Sequence, residues 1–172
     1  MRDDLVDLRP LEEDDLTQVA LWRQSESGRL AFFSPEPTSI SGQAEWYARY
    51  LRDPTDFMFI VTVDGGPPAG TVALSNIDVR NQRAELGRVF IADDGSRQKG
   101  IATAACTLLL AYAADDLHLR KLYLRVYASN HAAIHLYEKL GFEREGLLRE
   151  EVFARGRWQD VLHMARFLGR GA

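Results

Sequence analysis

The stretch Ser96-Arg97-Gln98-Lys99-Gly100-Ile101-Ala102-Thr103 joins an alternating apolar segment to a long apolar-periodic one, and its residue types suit the capture of an anion. A turn that enters a helix leaves the first backbone N–H groups without internal acceptors, in the positive field of the helix N-terminus. Gly100 and Ala102 remove side-chain bulk so that a phosphate can approach the backbone, Arg97 and Lys99 add charge, and Thr103 adds a hydroxyl. The stretch lacks the Gly-Lys-Ser/Thr ending of a P-loop, and its single glycine excludes a dinucleotide-binding fingerprint. Other chemically capable residues say less. His131 and His135 lie one helical turn apart with no third ligand evident, so no metal is expected. Cys106, in an alanine-rich segment, reads as a small buried apolar residue rather than a nucleophile. Asn130 suits a helix N-cap, and Ile134, Tyr137 and Leu140 form an apolar stripe, so spacing alone puts Tyr137 in the core.

These residues need a scaffold. A chain of 172 residues with 46% hydrophobic content can bury one substantial core, and residues 1–172 read as a single domain. A net charge of −4 argues against a general nucleic-acid binder, which needs a cationic surface to displace counterions. One cysteine forms no internal disulfide, and the opening "MRDDLVDLRP" lacks a signal-peptide core. With no apolar run of membrane-spanning length either, a cytoplasmic location without a membrane partner is expected.

The first segment, "DLVDLRPL", alternates like a strand, and "EEDDLTQVALWRQ" repeats at helical spacing after an acidic start. "GRLAFFSPEPTSISG" reads as loop because of Pro35, Pro37 and Gly42, and a second helix follows at about residues 42–53. "DFMFIVTVDG", "PAGTVALSNIDV" and "QRAELGRVFIA" read as an antiparallel meander. A helix from Ile101 to about Asp115 and the strand "KLYLRVYA" allow a parallel crossover. "HAAIHLYEKLGF" is a helix closed by Gly141, and "LREEVFARGRWQDVLHMARFL" is a strand pair joined at Arg155-Gly156-Arg157. The fold class is α/β, with a mixed, largely antiparallel sheet of about seven strands flanked by about four helices.

Arg97-x-x-Gly100-x-Ala102 after Leu86–Ile91, followed by Asn130-x-x-Ala133-x-x-Leu136-Tyr137-x-Lys139-x-Gly141-Phe142, resembles the GNAT superfamily of N-acetyltransferases. The likeness spans nearly the whole chain, and its nearest branch contains the ribosomal-protein, spermidine and nucleotide-amino-sugar acetyltransferases. It implies acetyl-CoA as co-substrate, with its pyrophosphate on Arg97, Gln98, Lys99, Gly100, Ile101, Ala102 and Thr103. Its pantetheine arm would pair with the backbone of Val89, Phe90 and Ile91 and bond Asn130. The resemblance also assigns chemistry. Glu85 would relay a proton from the amine, its bland alternative being an ion pair with Arg83 or Arg88. Tyr137 would protonate the departing thiolate. Direct attack within a ternary complex is the implied route.

The acceptor is expected to be a primary amine of a small molecule, a polyamine or an amino sugar, walled by Phe32, Phe33, Trp46 and Tyr47. Glu36, Glu45 and Glu151 would lend negative charge. The segment "SPEPTSISGQ" is carboxylate-poor for a polyamine site. The alternatives are a protein N-terminus as acceptor, as in the ribosomal-protein type, and a non-catalytic acyl-CoA sensor. The pairing of Glu85 with Tyr137 favours the enzyme. The expected macromolecular partner is a second copy of the chain, as a homodimer.

Overall fold

In a computed structural model that describes residues 1–2, 6–32, 38–92, 100–154 and 156–169, the β-branched and aromatic runs become one seven-stranded sheet. The strands are β1 (Val6–Pro10), β2 (Phe57–Val63), β3 (Pro68–Asp78), β4 (Arg83–Ile91), β5 (Lys121–Tyr127), β6 (Glu143–Ala154) and β7 (Arg157–Phe167). Their spatial order is β1-β2-β3-β4-β5-β7-β6. Every neighbouring pair is antiparallel except β4 and β5, whose connection runs through a helix as a parallel crossover demands. Asp64 and Gly65, at φ +51° and +68°, give the β2–β3 hairpin a turn whose twist matches its strands.

Five α-helices are described: α1 (Leu16–Gln24), α2 (Glu26–Ala31), α3 (Ile40–Tyr50), α4 (Ile101–Asp115) and α5 (His131–Lys139). α4 and α5 share one core with the sheet, centred on Leu74, Leu86, Leu109, Leu122 and Leu124, while α1 and α3 cover the opposite face through Val19, Trp22, Tyr47, Ile60 and Phe90. Cys106 sits inside the first core, where burial pushes its thiol up to about 12, as suits an inert packing residue.

Three expectations need correction. The segment read as loop from Gly28 begins inside α2, because the Ser25 hydroxyl accepts from Gly28 N–H at 3.0 Å and caps a short helix. Gly28 is required there, since a Cβ would lie 1.8 Å from the Trp22 carbonyl oxygen. The second helix starts at Ile40, capped by Ser39, and stops at Tyr50. β6 begins at Glu143 instead of Leu148, so the final hairpin is a long one. That hairpin exposes Leu147, Phe153 and Trp158.

α5 ends as read. Gly141 adopts φ +78°, its N–H bonds the Glu138 carbonyl, and the Phe142 N–H bonds that of Tyr137. The same turn packs Phe142 edge-on against Tyr137, with ring centroids 6.0 Å apart, and so fixes where that tyrosine points.

Candidate active site

β4 and β5 pair at only three positions, Arg83 with Lys121, Ala84 with Leu122 and Glu85 with Tyr123. Beyond them β5 continues beside β7, whereas residues 86–91 of β4 keep β3 on one side and, among the described residues, no strand on the other. The sheet therefore opens at its centre, and its open edge is the backbone of Val89, Phe90 and Ile91. Their side chains do not serve the opening: Phe90 and Ile91 are buried on opposite faces of the sheet, and Val89 packs against the α4 side. An extended amide-bearing chain can add to that edge as a strand would.

A bulge drives the divergence. Thr71 faces Phe90 and Ala73 faces Gly87, so β4 spends one more residue than β3 between those points. Arg88 takes up the excess at φ +51°, and the Thr71 hydroxyl donates to its carbonyl at 2.7 Å. A bulky residue in the left-handed region carries local strain that the surrounding contacts must hold. Two contacts do so, a bidentate pair from Arg88 to Asp56 at 2.6 and 2.7 Å and the guanidinium lying 5.6 Å from the centre of the Trp46 ring.

At the open edge α4 begins. Gly100 has φ +76°, a conformation that L side chains rarely adopt, and Ile101 follows with its side chain in the core. Only the backbone of Ile101 can therefore meet a ligand. The first-turn N–H groups of Ile101, Ala102 and Thr103 have no intrahelical acceptor by geometry, which fits a phosphate group of acetyl-CoA. Arg97, Gln98 and Lys99 lie outside the described residues, as do Phe33 and Glu36. Asn130 caps α5, its Oδ1 accepting from Ala133 N–H at 3.2 Å.

The two candidate catalytic groups meet in one cavity of about 280 Å³, lined also by Phe32, Asp53, Asp56, Arg88 and Arg125. Glu85 and Leu86 point to opposite faces of β4, and both line the cavity together with Tyr137 from α5, so it reaches through the opening from one face to the other. Glu85 is held at both oxygens, by Asn76 Nδ2 at 2.9 Å and Arg125 Nε at 3.1 Å. The expected ion-pair partners are thus corrected: Arg83 lies against Asp78 and Arg88 against Asp56, because the bulge turns Arg88 toward α3. Tyr137 is only 8% exposed, and its phenol makes no hydrogen bond among the described residues. Burial, and secondarily the nearby Cys106, raises its pKa well above that of a free phenol, so the hydroxyl keeps its proton throughout the physiological range.

Three carboxylates, Asp53, Asp56 and Glu85, face two guanidiniums in this cavity. Asp53 accepts from the Thr55 hydroxyl and N–H, which hold its carboxyl below the usual range. The cavity therefore offers an ammonium group fixed negative charge. Phe32 lines it, whereas Trp46 lies beside a neighbouring cavity. Tyr47 is a core residue whose hydroxyl donates to the Leu11 carbonyl, and Glu45 and Glu151 are exposed. Sequence reasoning missed Asp53, Asp56, Asn76 and Arg125, and gave Arg88 the wrong partner. A glycine inside a strand pattern, Gly87, was the available signal for the bulge.

A family profile described as acetyltransferase (GNAT) domain matches residues 6–143. Among curated proteins, the spermidine N(1)-acetyltransferase of Escherichia coli K12 is 35% identical over 162 residues, covering 94% of this chain and 86% of that protein. A putative ribosomal N-acetyltransferase of Bacillus subtilis is 29% identical over 161 residues, covering 91% and 86%. Among solved structures, the spermidine N-acetyltransferase of Vibrio cholerae in complex with CoA and spermine superposes with a TM-score of 0.87 at 32% identity, covering 96% of both chains.

Proposed function

Because the chain belongs to the GNAT acetyltransferase family and is an acetyl-CoA-dependent N-acetyltransferase, we propose that it acetylates a small primary amine seated in the Glu85–Tyr137 cavity. The observation that carries this reading is that one cavity, placed where β4 and β5 part, holds both a carboxylate fixed at its two oxygens and a buried protonated phenol. Spermidine is the acceptor named for the acetyltransferases to which the chain is similar, and it is the reference against which other small amines are compared.

Acetyl-CoA, when bound, supplies the thioester carbon that the amine attacks. The N–H groups at the start of α4 would hold its phosphates, the edge of β4 at Val89–Ile91 its amide arm, and Asn130 would flank that arm. An alkylammonium has a pKa of about 10.4, so only about one part in a few thousand is neutral at pH 7. Glu85 draws the surplus proton away, directly or through water, while its bonds from Asn76 and Arg125 keep it aimed into the cavity. Tyr137 stands ready with a proton for the sulfur, in a desolvated setting where its hydrogen bond is strong. The exposed apolar residues of the β6–β7 hairpin suit a homodimer contact.

The test is thiol release from acetyl-CoA across spermidine, cadaverine, glucosamine, lysine and a peptide with a free N-terminus, with products identified by mass. At least one small amine is expected to be acetylated with a kcat/KM of about 10⁴ M⁻¹s⁻¹ or more. Turnover of the peptide alone would replace this reading with a protein acceptor.

A further inference from the structure

A second, smaller cavity of about 170 Å³ adjoins the first and shares Phe32 and Arg88 with it. Its lining has an unusual inventory. Arg23, Gln43, Trp46 and Arg88 bring hydrogen-bond donors, and among the described residues no carboxylate lines it. Gln43 is 1% exposed, and its Oε1 accepts from Arg23 Nη1 at 3.1 Å. That bond fixes the amide orientation, since the reverse would set an NH₂ group against a guanidinium. Gln43 Nε2 is therefore a donor, and it is buried with no acceptor among the described residues. Such a group is rare in a native core and calls for a cause, of which a water, ion or ligand that completes it is one. Two of its cations stack on its aromatic walls, the Arg23 guanidinium 5.5 Å from the Phe32 ring centre and the Arg88 guanidinium over Trp46.

A group that fits is small, accepts hydrogen bonds without donating any, and is welcome beside guanidinium. A carboxylate meets all three conditions. A second ammonium is small but only donates and is repelled by guanidinium, and among the described residues Asp56 already holds Arg88. Resting on the transferase reading above, we infer that this cavity is an anion subsite and that the acceptor is a primary amine bearing a carboxylate. Its amine lies at Glu85 and its carboxylate at Gln43 and Arg23. The two cavities then divide one zwitterionic acceptor between an acidic end and a donor-rich end, which a polyamine does not match.

The experiment compares acceptors that differ only in that group: β-alanine, γ-aminobutyrate and lysine, each against its own amide, with spermidine alongside. In at least one pair the acid should exceed its amide about tenfold or more in kcat/KM, the scale of a hydrogen bond to a charged group. Gln43→Leu should cut that acid-to-amide ratio about tenfold, and Gln43→Glu, which puts an oxygen where Nε2 was, should bring it below one. Each ratio is taken within a single protein preparation, so partial loss of folded protein cancels. Amides or spermidine equalling the acids in every pair, or a ratio that neither variant moves, would mean a water-filled cavity and overturn the subsite while leaving the transferase intact. Acetylation of no amine at all would remove the transferase reading and this one with it.

Discussion

Tyr137→Phe is expected to lower kcat by roughly 10²–10⁴, the contribution typical of a positioned general acid, with little change in acetyl-CoA affinity. The forecast is sharp because the substitution removes one atom and little else. The ring keeps its edge-on contact with Phe142, and no hydrogen bond to the phenol is lost among the described residues. Stability should change by no more than about 1 kcal/mol, so a melt run beside the kinetics separates chemistry from folding. The raised pKa gives the pH side of the same prediction. A phenol titrating above its ordinary value of about 10 stays protonated across the working range, so the parent enzyme should show no loss of kcat assignable to Tyr137 below that pH. Turnover within about threefold of the parent would return Tyr137 to the role its spacing first suggested, a core residue.

Glu85→Gln should cost about 10²-fold in kcat/KM at pH 7 and progressively less as the pH approaches the amine pKa. The sign follows from the amine. Near neutrality nearly every acceptor carries a proton that Glu85 must help remove, while at high pH the free amine arrives without it. Glutamine keeps the size and can leave its oxygen toward Arg125, while Asn76 can turn its own amide oxygen to accept from the new NH₂, so the cavity walls should stay in place. A loss that is the same at every pH would identify Glu85 as an anchor for its two donors and take the proton relay away from it.

Local signals carried much of this far. α4 ends where its apolar period does, while its start at Gly100 and the close of α5 at Gly141 are set by backbone conformations that glycine alone accepts easily. The parallel β4–β5 step was legible as strand, helix, strand. The short helix α2 escaped because six residues carry too little periodicity, although Ser25 was in place as its cap. The start of β6 escaped because Glu143–Gly146 is charged and exposed, with no alternation to read. Glu85 and Tyr137 came from a family likeness, and the structure brings them into one cavity. The groups that tune them are another matter. Asp56 precedes β2, Asn76 sits at an irregularity in β3 and Arg125 lies on β5, and only the closed sheet brings them together. The Gln43 donor is likewise invisible in sequence, where a glutamine on a helix reads as surface.

The central claim is that donor and acceptor meet across the parting of β4 and β5, with the acetyl group passing directly from one to the other. Initial rates measured over a grid of acetyl-CoA and acceptor concentrations test it most directly. Direct transfer in a ternary complex predicts double-reciprocal lines that intersect, with no acetylated protein by intact mass when the acceptor is withheld. Parallel lines together with an acetylated protein would contradict the account, since they require a covalent stop on a residue that it does not contain.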